Sequence, residues 1–402
     1  MPYSYAYLAQ GQLHLKLGND PVRPIDSKFG ESVRQRAAQI NQRNAWKTQG
    51  SGAKFMSGGL LWGRNIADDA GDIPIDITGV SRGCRPGELF YSLSTPDIGG
   101  VFLLRERASD ELRLLHTADF FVRRLAASPA QESLACVVQR KGCQSSIAVM
   151  RTDGSDMQDV TTGDTIDDAP HWAPGSTREL VFQSSAIGRN RAGFAVTQAP
   201  FAIHKLDLEA GAVTTLAEDP KFDLLMPQLS TDGSLYFIRR PYRDPNQPPT
   251  PWRAARDLVL LPFRLLYAVF QFLNFFTVRY TGNTLTTTGN ARQKHADIRK
   301  MMIWGNLIDT DKAANRAEDG TPALVPKTWE LIRRKDAQEE VVAKSVLCYD
   351  LYSDGSFLYS NGNGIYRVDQ KGSAERLAKD ALIEQLVAGS DAEFALAPLL
   401  QL

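Results

Sequence analysis

Residues 147–185 read IAVMRTDGSDMQDVTTGDTIDDAPHWAPGSTRELVFQSS, a pattern of short β-strands separated by tight turns. Asp153-Gly154 stands between two runs that alternate in polarity, which is a strong signal for a β-hairpin. After a polar loop, a short strand begins at Pro170, and Pro174-Gly175 separates it from a second strand around residues 181–182. The stretch therefore predicts a hairpin, a loop and a second pair of strands.

Both halves of this stretch recur along the chain. The hairpin half recurs at 101–116, 203–219, 329–343 and 365–379, and the second half recurs at 80–94, 125–139, 227–240 and 351–362. Successive copies of the second half are about 45, 45 and 57 residues apart, and the last interval widens to about 122. Repeats of about 40–50 residues with four short strands each are typical of β-propeller blades.

The two ends of the chain carry complementary parts of one repeat. Residues 386–397 form a predicted inner strand pair without a following hairpin, and residues 5–17 form a hairpin without a preceding pair. A blade shared by both ends closes a propeller and removes its open edges. We therefore expect the N- and C-terminal strands to close the ring.

The region between the first hairpin and the first clear repeat is less regular. Ser27 is a suitable N-cap for a helix predicted over about 27–47. Residues 53–63 resemble an inner strand pair and 74–79 an outer strand, which together predict an abbreviated blade. The expected fold is an all-β, seven-bladed β-propeller, or a six-bladed one if residues 50–79 form only a cap.

A long insert interrupts the fifth predicted blade between its second and third strands. The propeller is expected to comprise residues 1–240 and 329–402, and the insert residues 241–328. The insert opens with a Pro-rich arm and then contains LVLLPFRLLYAVFQFLNFFTV at 258–278, the longest apolar run of the chain. This run predicts an apolar, amphipathic helix over about 257–278.

The predicted helix suits the surface of a membrane better than its interior. Twenty-one residues would just cross a bilayer core of ~30 Å. However, a polar stripe at helical spacing interrupts the apolar surface, formed by Arg253, Asp257, Arg264, Gln271 and Asn274. No second apolar run is long enough to return the chain across a bilayer. These features favour a helix that lies in the interface.

The charge around the helix favours an anionic surface. The chain as a whole balances 46 basic against 46 acidic residues, but residues 239–300 contain eleven Lys or Arg and three acids, a net charge of +8. Basic residues beside an apolar helix attract anionic lipids. The predicted contact residues are Leu258, Leu261, Phe263, Leu266, Phe270, Phe272, Leu273, Phe275, Phe276, Trp252, Arg253, Arg256, Arg279 and Tyr280.

The same helix has two other interpretations. It could pack against a partner chain or a second copy of this chain, or it could lie over the propeller as a lid. Composition excludes a nucleic-acid partner, because the chain has no net charge and the basic insert lacks the aromatic interleaving of a nucleic-acid module.

The predicted location is the bacterial cytoplasm, on the inner face of the membrane. The first residues, MPYSYAYLAQGQLHLKLG, have neither the basic start nor the apolar stretch of a signal peptide. The four cysteines, Cys84, Cys136, Cys143 and Cys348, are expected to be reduced.

The repeat resembles that of TolB-like β-propellers, which also occurs in the propeller domains of prolyl-oligopeptidase-type peptidases. The matching residues are the V-M-x-x-D-G-S turn at 149–155, the D-A-P-x-W-x-P-G run at 168–175 and Val-Phe at 181–182. We expect neither the additional N-terminal domain of TolB nor the hydrolase domain of the peptidases. The resemblance implies a propeller fold and a tendency to bind proteins, but no activity.

The patterns that could indicate catalysis are weak. Residues 79–83 match G-x-S-x-G around Ser81, but the Cys84–Gly87 turn follows instead of the helix that a nucleophile elbow needs. The five histidines, at 14, 116, 171, 204 and 295, lack the spacing of a metal site. We therefore predict no catalytic, cofactor-binding or metal-binding residues.

The predicted function is that of a non-enzymatic scaffold. It would bind partner proteins and associate peripherally with a membrane surface or a membrane protein through the insert helix. The alternatives are a subunit of a larger complex with the helix buried against another chain, and a hydrolase or lyase that uses the central tunnel. The enzyme would need a cluster of acids and histidines with perturbed pKa values around the axis, and the sequence predicts no such cluster.

Overall fold

The chain has 402 residues, and a computed structural model describes ten ranges of them: 3–48, 74–85, 87–105, 110–128, 133–140, 144–243, 302–303, 306–307, 322–336 and 338–389. Side chains of the helix within the first range are described up to residue 39. The apolar run at 258–278, all fourteen predicted contact residues and the predicted strand pair at 53–63 lie outside the described residues.

The described residues are mostly strands. The first part contains β1 (Ser4–Ala9), β2 (Gln12–Lys16), β3 (Arg23–Ile25), helix α1 (Lys28–Thr48), β4 (Asp76–Arg82), β5 (Glu88–Ser94), β6 (Gly99–Arg105), β7 (Asp110–Thr117), β8 (Phe121–Ser128), β9 (Ser133–Gln139), β10 (Ser145–Arg151) and β11 (Gln158–Asp159). The middle part contains β12 (Thr165–Trp172), β13 (Glu179–Arg189), β14 (Ala195–Gln198), β15 (Ala202–Asp207), β16 (Ala212–Ala217), β17 (Phe222–Leu229) and β18 (Leu235–Pro241). The last part contains β19 (Met302–Ile303), β20 (Asn306–Leu307), β21 (Glu330–Lys335), β22 (Gln338–Lys344), β23 (Cys348–Leu351), β24 (Phe357–Ser360), β25 (Gly364–Val368), β26 (Ala374–Lys379) and β27 (Ile383–Gly389).

These strands form six antiparallel units within the described residues. In chain order, units 1 to 6 are β27-β1-β2-β3, β4-β5-β6-β7, β8-β9-β10-β11, β12-β13-β15-β16, β17-β18-β21-β22 and β23-β24-β25-β26. A single parallel bridge between Ser145 and Ile166 joins units 3 and 4 into one sheet, and β14 extends unit 4. The remaining pair, β19-β20, lies in the insert.

The first strands of the six units contact one another, and we call them the inner strands. Their contacts run from β4 to β8, β12, β17, β23 and β27, and β27 contacts β4 again. Antiparallel sheets arranged around a common set of inner strands are the architecture of a β-propeller.

Side chains also bind main-chain atoms across every one of these six junctions. The hydrogen bonds are Thr78 Oγ1 to Val122 O (2.6 Å), Trp172 Nε1 to Ala126 O (2.9 Å), Met226 N to Gln183 Oε1 (2.6 Å), Gln228 Nε2 to Tyr349 O (3.3 Å), Ala388 N to Asp350 Oδ2 (2.8 Å) and Gln385 Nε2 to Thr78 O (3.0 Å). Such bonds satisfy main-chain groups at strand edges that have no neighbouring strand.

The two ends of the described chain share unit 1. β27 pairs with β1 from Ser4 opposite Gly389 to Ala9 opposite Ile383. The C-terminal contribution differs from the prediction. An inner strand pair was expected at 386–397, whereas the described residues contain the single strand β27, Ile383–Gly389. The residues after Gly389 lie outside the part of the chain that the structure describes.

The prediction of an outer strand at 74–79 is wrong. These residues begin β4, which is the inner strand of unit 2 and pairs with β5 from Asp76 opposite Ser94 to Arg82 opposite Leu89. The sequence suggested an outer strand because 74–79 precede the repeat at 80–94, whereas the inner strand in fact begins before that repeat.

Helix α1 begins where the predicted N-cap stands. Ser27 Oγ accepts a hydrogen bond from Gly30 N at 3.1 Å. The Glu111 carboxylate on β7 accepts hydrogen bonds from Lys28 N at 2.8 Å and Phe29 N at 2.9 Å. A carboxylate beside the first amides of a helix stabilises it, so unit 2 fixes where the helix starts.

The core is divided into apolar clusters that lie between neighbouring units. Leu13 and Leu15 of unit 1 pack with Leu89 and Tyr91 of unit 2. In the same way, Phe182 of unit 4 packs in a cluster with unit 3. Among the described residues, no helix is both long enough and apolar enough to cross a bilayer.

Candidate functional site

A cavity of about 490 Å³ lies at the centre of the molecule and is lined by residues from all six inner strands. Its walls include the segment that follows β4, the end of β8 at Ser128 and the turn after β12 at residues 173–176. The cavity is therefore on the face where the inner strands end, which we call the turn face. Its size is within the range of small-molecule and peptide-side-chain pockets.

Two ion pairs at this central pocket join different units; Arg82, Asp350 and Arg124 line the pocket, and Asp168 lies next to the lining residue Ala169. Arg82 of unit 2 approaches Asp350 of unit 6, with Nη2 and Oδ2 3.7 Å apart. Arg124 of unit 3 approaches Asp168 of unit 4, with Nε and Oδ1 3.3 Å apart. Burial raises the pKa of Asp350 and lowers the pKa of Arg124, and in each pair the opposite charge acts against the effect of burial.

His171 adds a titratable group to the same pocket. Its Nδ1 atom is buried and has no hydrogen-bond partner among the described residues. Burial, and secondarily the positive charge of Arg82, lowers the pKa of His171 to about 4. The imidazole is therefore neutral near pH 7.

The backbone around the pocket is strained at two equivalent places. Ala169 on β12 has φ 50° and Met226 on β17 has φ 53°, which is the left-handed region that residues with a Cβ rarely adopt. Each lies at a β-bulge and is followed by a proline. The bulges change the register of the inner strands, and such bulges often redirect side chains at binding sites.

The low pKa of His171 predicts a pH-dependent contribution to stability. The unfolded chain takes up the proton near pH 6.5, whereas the folded protein takes it up only near pH 4. The unfolded state therefore binds more protons between these values, and the free energy of unfolding falls as the pH decreases through this window. From pH 7 to pH 5.5 we expect His171 to contribute a loss of about 1 kcal/mol.

The measurement is urea denaturation at both pH values for the wild type and for His171→Gln. The variant should lose less stability than the wild type on acidification, because glutamine does not titrate. Other histidines with a lowered pKa, His14 and His204, are present in both proteins and cancel in the difference. Equal losses in the two proteins would contradict a His171 that stays neutral in the folded protein at pH 5.5.

The G-x-S-x-G match around Ser81 is part of a strand. Ser81 lies within β4, and its hydroxyl oxygen accepts a hydrogen bond from Ala127 N at 3.0 Å and donates to Arg82 O at 3.2 Å. Its role is therefore to join units 2 and 3. Among the described residues, no group of three His, Cys, Asp or Glu side chains is arranged to hold a metal ion.

The sequence reasoning missed the polar cluster in the central pocket. The sequence indicated no cluster of acids and histidines around the axis, whereas the structure brings Arg82, Arg124, His171 and Asp350 together in this pocket, and burial shifts the pKa values of His171 and Asp350. The D-A-P-x-W run at 168–172 was a usable signal, because its last four residues line the pocket and Asp168 pairs with the lining residue Arg124. The predicted residues between Trp252 and Tyr280 lie outside the described residues, so their position relative to this pocket stays a prediction.

Comparison with known proteins gives structures of similar fold at low sequence identity. No family model and no curated protein sequence matches the chain. A chain of the nidogen/laminin complex has a TM-score of 0.49 at 7% identity, with 96% of this chain and 97% of that chain covered. TolB from Acinetobacter baumannii also has a TM-score of 0.49, at 9% identity, with 96% of this chain and 66% of TolB covered.

A prolyl endopeptidase structure has a TM-score of 0.38 at 12% identity, with 88% of this chain and 42% of that chain covered. The similar structures thus include TolB and a prolyl endopeptidase, the two kinds of protein whose repeat the sequence resembles.

Proposed function

We propose that this chain is a six-bladed β-propeller that acts as a binding scaffold, attached to a membrane surface on one face and open to a partner protein on the other. Six blades are supported by the circuit of contacts among the inner strands, in which β27 contacts β4 directly. A seventh blade built from residues 50–79 would have to separate these two strands, and Gln385 of β27 bonds to β4 at Thr78. The terminal strands β27 and β1 would close the ring.

The proposal rests on the direction of the strands in unit 5, which determines the face on which the insert begins. The insert connects β18 to β21, so it leaves unit 5 on the face where the inner strands begin, which we call the insert face. The central pocket is on the opposite, turn face. A scaffold that is attached through the insert would therefore keep its pocket directed away from the membrane.

Attachment would occur through residues 252–282. The helix expected at 257–278 would place Phe263, Phe270 and Phe276 in the lipid interface, and Arg253, Arg256 and Arg279 would attract anionic headgroups. The surface would be the inner face of the cytoplasmic membrane or a membrane protein there. The pocket, with its two ion pairs and His171, would receive a polar segment of the partner protein.

Flotation of the purified protein with liposomes tests this function. We expect recovery with vesicles that contain anionic lipid, weaker recovery with neutral vesicles, and a decrease at high salt. The triple variant Phe270→Ser, Phe272→Ser, Phe276→Ser should lose at least about 90% of the recovery, because three large apolar side chains no longer enter the interface.

The matched control is Leu112→Ser with Val341→Ser, which removes apolar side chains that are 46% and 41% exposed on the outer strands β7 and β22. This control should float like the wild type. Equal flotation of the triple variant, or no flotation of the wild type with either kind of vesicle, would contradict membrane attachment through the insert.

A further inference from the structure

Unit 4 carries a hairpin that projects beyond its sheet. The pairing of β13 with β12 ends at Ala186, opposite Thr165. β13 continues for three more residues and pairs with β14, from Ile187 opposite Gln198 to Arg189 opposite Ala195. We call residues 187–198 the projecting hairpin. It occupies the connection between the second and third strands of its unit, which is the same connection that holds the insert in unit 5.

The tip of the projecting hairpin is apolar and basic. Phe194 is 69% exposed, the largest exposed fraction of any large apolar side chain among the described residues, and Val196 is 42% exposed. Residues 187–198 contain two arginines, Arg189 and Arg191, and no acidic residue. An exposed aromatic ring close to an arginine is a combination that suits the headgroup region of an anionic membrane.

The turn holds Phe194 in a defined position. Asn190 Oδ1 accepts hydrogen bonds from Ala192 N and Phe194 N, each at 3.0 Å. Arg189 donates to Gly193 O and to Asp164 Oδ1, each at 2.8 Å, which fixes the hairpin to the loop before β12. Because the turn is already ordered, little conformational entropy is lost when the ring is buried.

The projecting hairpin is joined to the start of the insert. The Tyr242 hydroxyl, one residue beyond β18, donates a hydrogen bond to Gln198 O at the base of the hairpin. Tyr242 N donates to Lys221 O at 2.9 Å, which holds this part of the chain beside unit 5. A surface in contact with the start of the insert would therefore also contact the projecting hairpin.

We propose that the projecting hairpin is a second membrane contact, which inserts Phe194 among the headgroups of an anionic lipid surface beside the insert. This proposal rests on the proposed function for the choice of a membrane as the surface. A lipid surface is favoured over a protein, because residues 187–198 present one ordered aromatic ring and the charge of Arg191 and contain no acidic residue that would pair with basic residues of a partner. Two contacts on one face would fix the orientation of the propeller, since each alone leaves rotation about one attachment point.

The test is a vesicle titration of the full chain with Phe194→Ser, using phosphatidylcholine vesicles with and without 30% phosphatidylserine. We expect the partition coefficient to fall about five- to tenfold with the anionic vesicles. Arg191→Ser should lower it about threefold and reduce its salt dependence. Val213→Ser on β16 of the same unit, 53% exposed, is the matched control and should not change it.

The two proposals fail in different ways. An unchanged partition coefficient for Phe194→Ser, together with a large loss in the chain without residues 252–282, overturns the hairpin contact and leaves the insert as the membrane contact. A loss with Phe194→Ser but none with the deletion would support the hairpin and overturn the insert. Thermal unfolding of Phe194→Ser should match the wild type, because the ring is exposed; a lowered midpoint together with weaker partition would assign the effect to folding and overturn the contact.

Discussion

A chain that ends after Ala381, and so lacks β27, is expected to lose cooperative unfolding altogether. β27 pairs with β1 along its whole length and buries Ile383, Leu386 and Val387 in the clusters on both sides of unit 1. Three buried side chains of this size contribute roughly 5–9 kcal/mol. This is comparable to the entire stability of an ordinary domain, about 5–15 kcal/mol.

Truncation also removes hydrogen bonds that only β27 supplies. Ala388 N no longer donates a hydrogen bond to Asp350, and Gln385 no longer bonds to Thr78 O and Val80 N, so these groups of units 6 and 2 lose hydrogen bonds, while Asp350 keeps the ion pair with Arg82. The measurements are the near-ultraviolet circular dichroism spectrum and urea denaturation, with a chain that ends after Gly389 as the matched control. A truncated chain whose transition is as steep as that of the control would show that the propeller does not depend on its terminal strands.

Arg240→Ala is expected to lower the free energy of unfolding by about 3–5 kcal/mol. Arg240 on β18 lies opposite Asp223 on β17, with Nε and Oδ2 2.9 Å apart, and their side chains are only 3% and 4% exposed. Removal of the guanidinium leaves the Asp223 carboxylate buried without an opposite charge. The Arg240 guanidinium also lies 4.9 Å from the centre of the Trp329 ring, so it links the strand before the insert to the chain that returns from it.

Urea denaturation of two further variants separates these effects. Arg178→Ala removes one partner of an exposed ion pair with Glu209 and should cost less than about 1 kcal/mol. Asp223→Asn, added to Arg240→Ala, should restore part of the loss, because the uncompensated charge is removed while Asn Oδ1 still accepts a hydrogen bond from Phe201 N. If Arg240→Ala costs no more than Arg178→Ala, or if Asp223→Asn worsens it, the buried pair does not have the assigned role.

Most of the fold was predictable from local patterns. The Asp-Gly turns at 153–154, 232–233 and 354–355 stand where the structure has tight turns, because such a turn depends on a few neighbouring residues. Ser27 caps α1 for the same reason. Residues 74–79 were assigned to the outer strand of an abbreviated blade, whereas they begin the inner strand of unit 2. Inner and outer strands differ in the residues that surround them, and a short apolar pattern does not identify those neighbours.

Local patterns predicted the insert but not the central pocket. The apolar, basic run at 252–282 is evident in the sequence, because amphipathic character is a property of contiguous residues. The central pocket was not predicted, although many of its residues lie in the recurring segments of the sequence. Arg82, Arg124, His171 and Asp350 come from units 2, 3, 4 and 6, and each alone resembles an ordinary strand residue.

The sequence by itself therefore determined the repeated β-structure, the turns, the capped helix and the position of the insert in the chain. Only the tertiary structure decided which strands are the inner ones, which charges meet in the pocket, on which face the pocket lies and on which face the insert joins unit 5. The physical reason is that hairpins and caps form from interactions within a few residues, whereas the pocket exists only where six units bring their inner strands together. The ion pair of Arg82 with Asp350 depends on that arrangement, because no local interaction brings units 2 and 6 close.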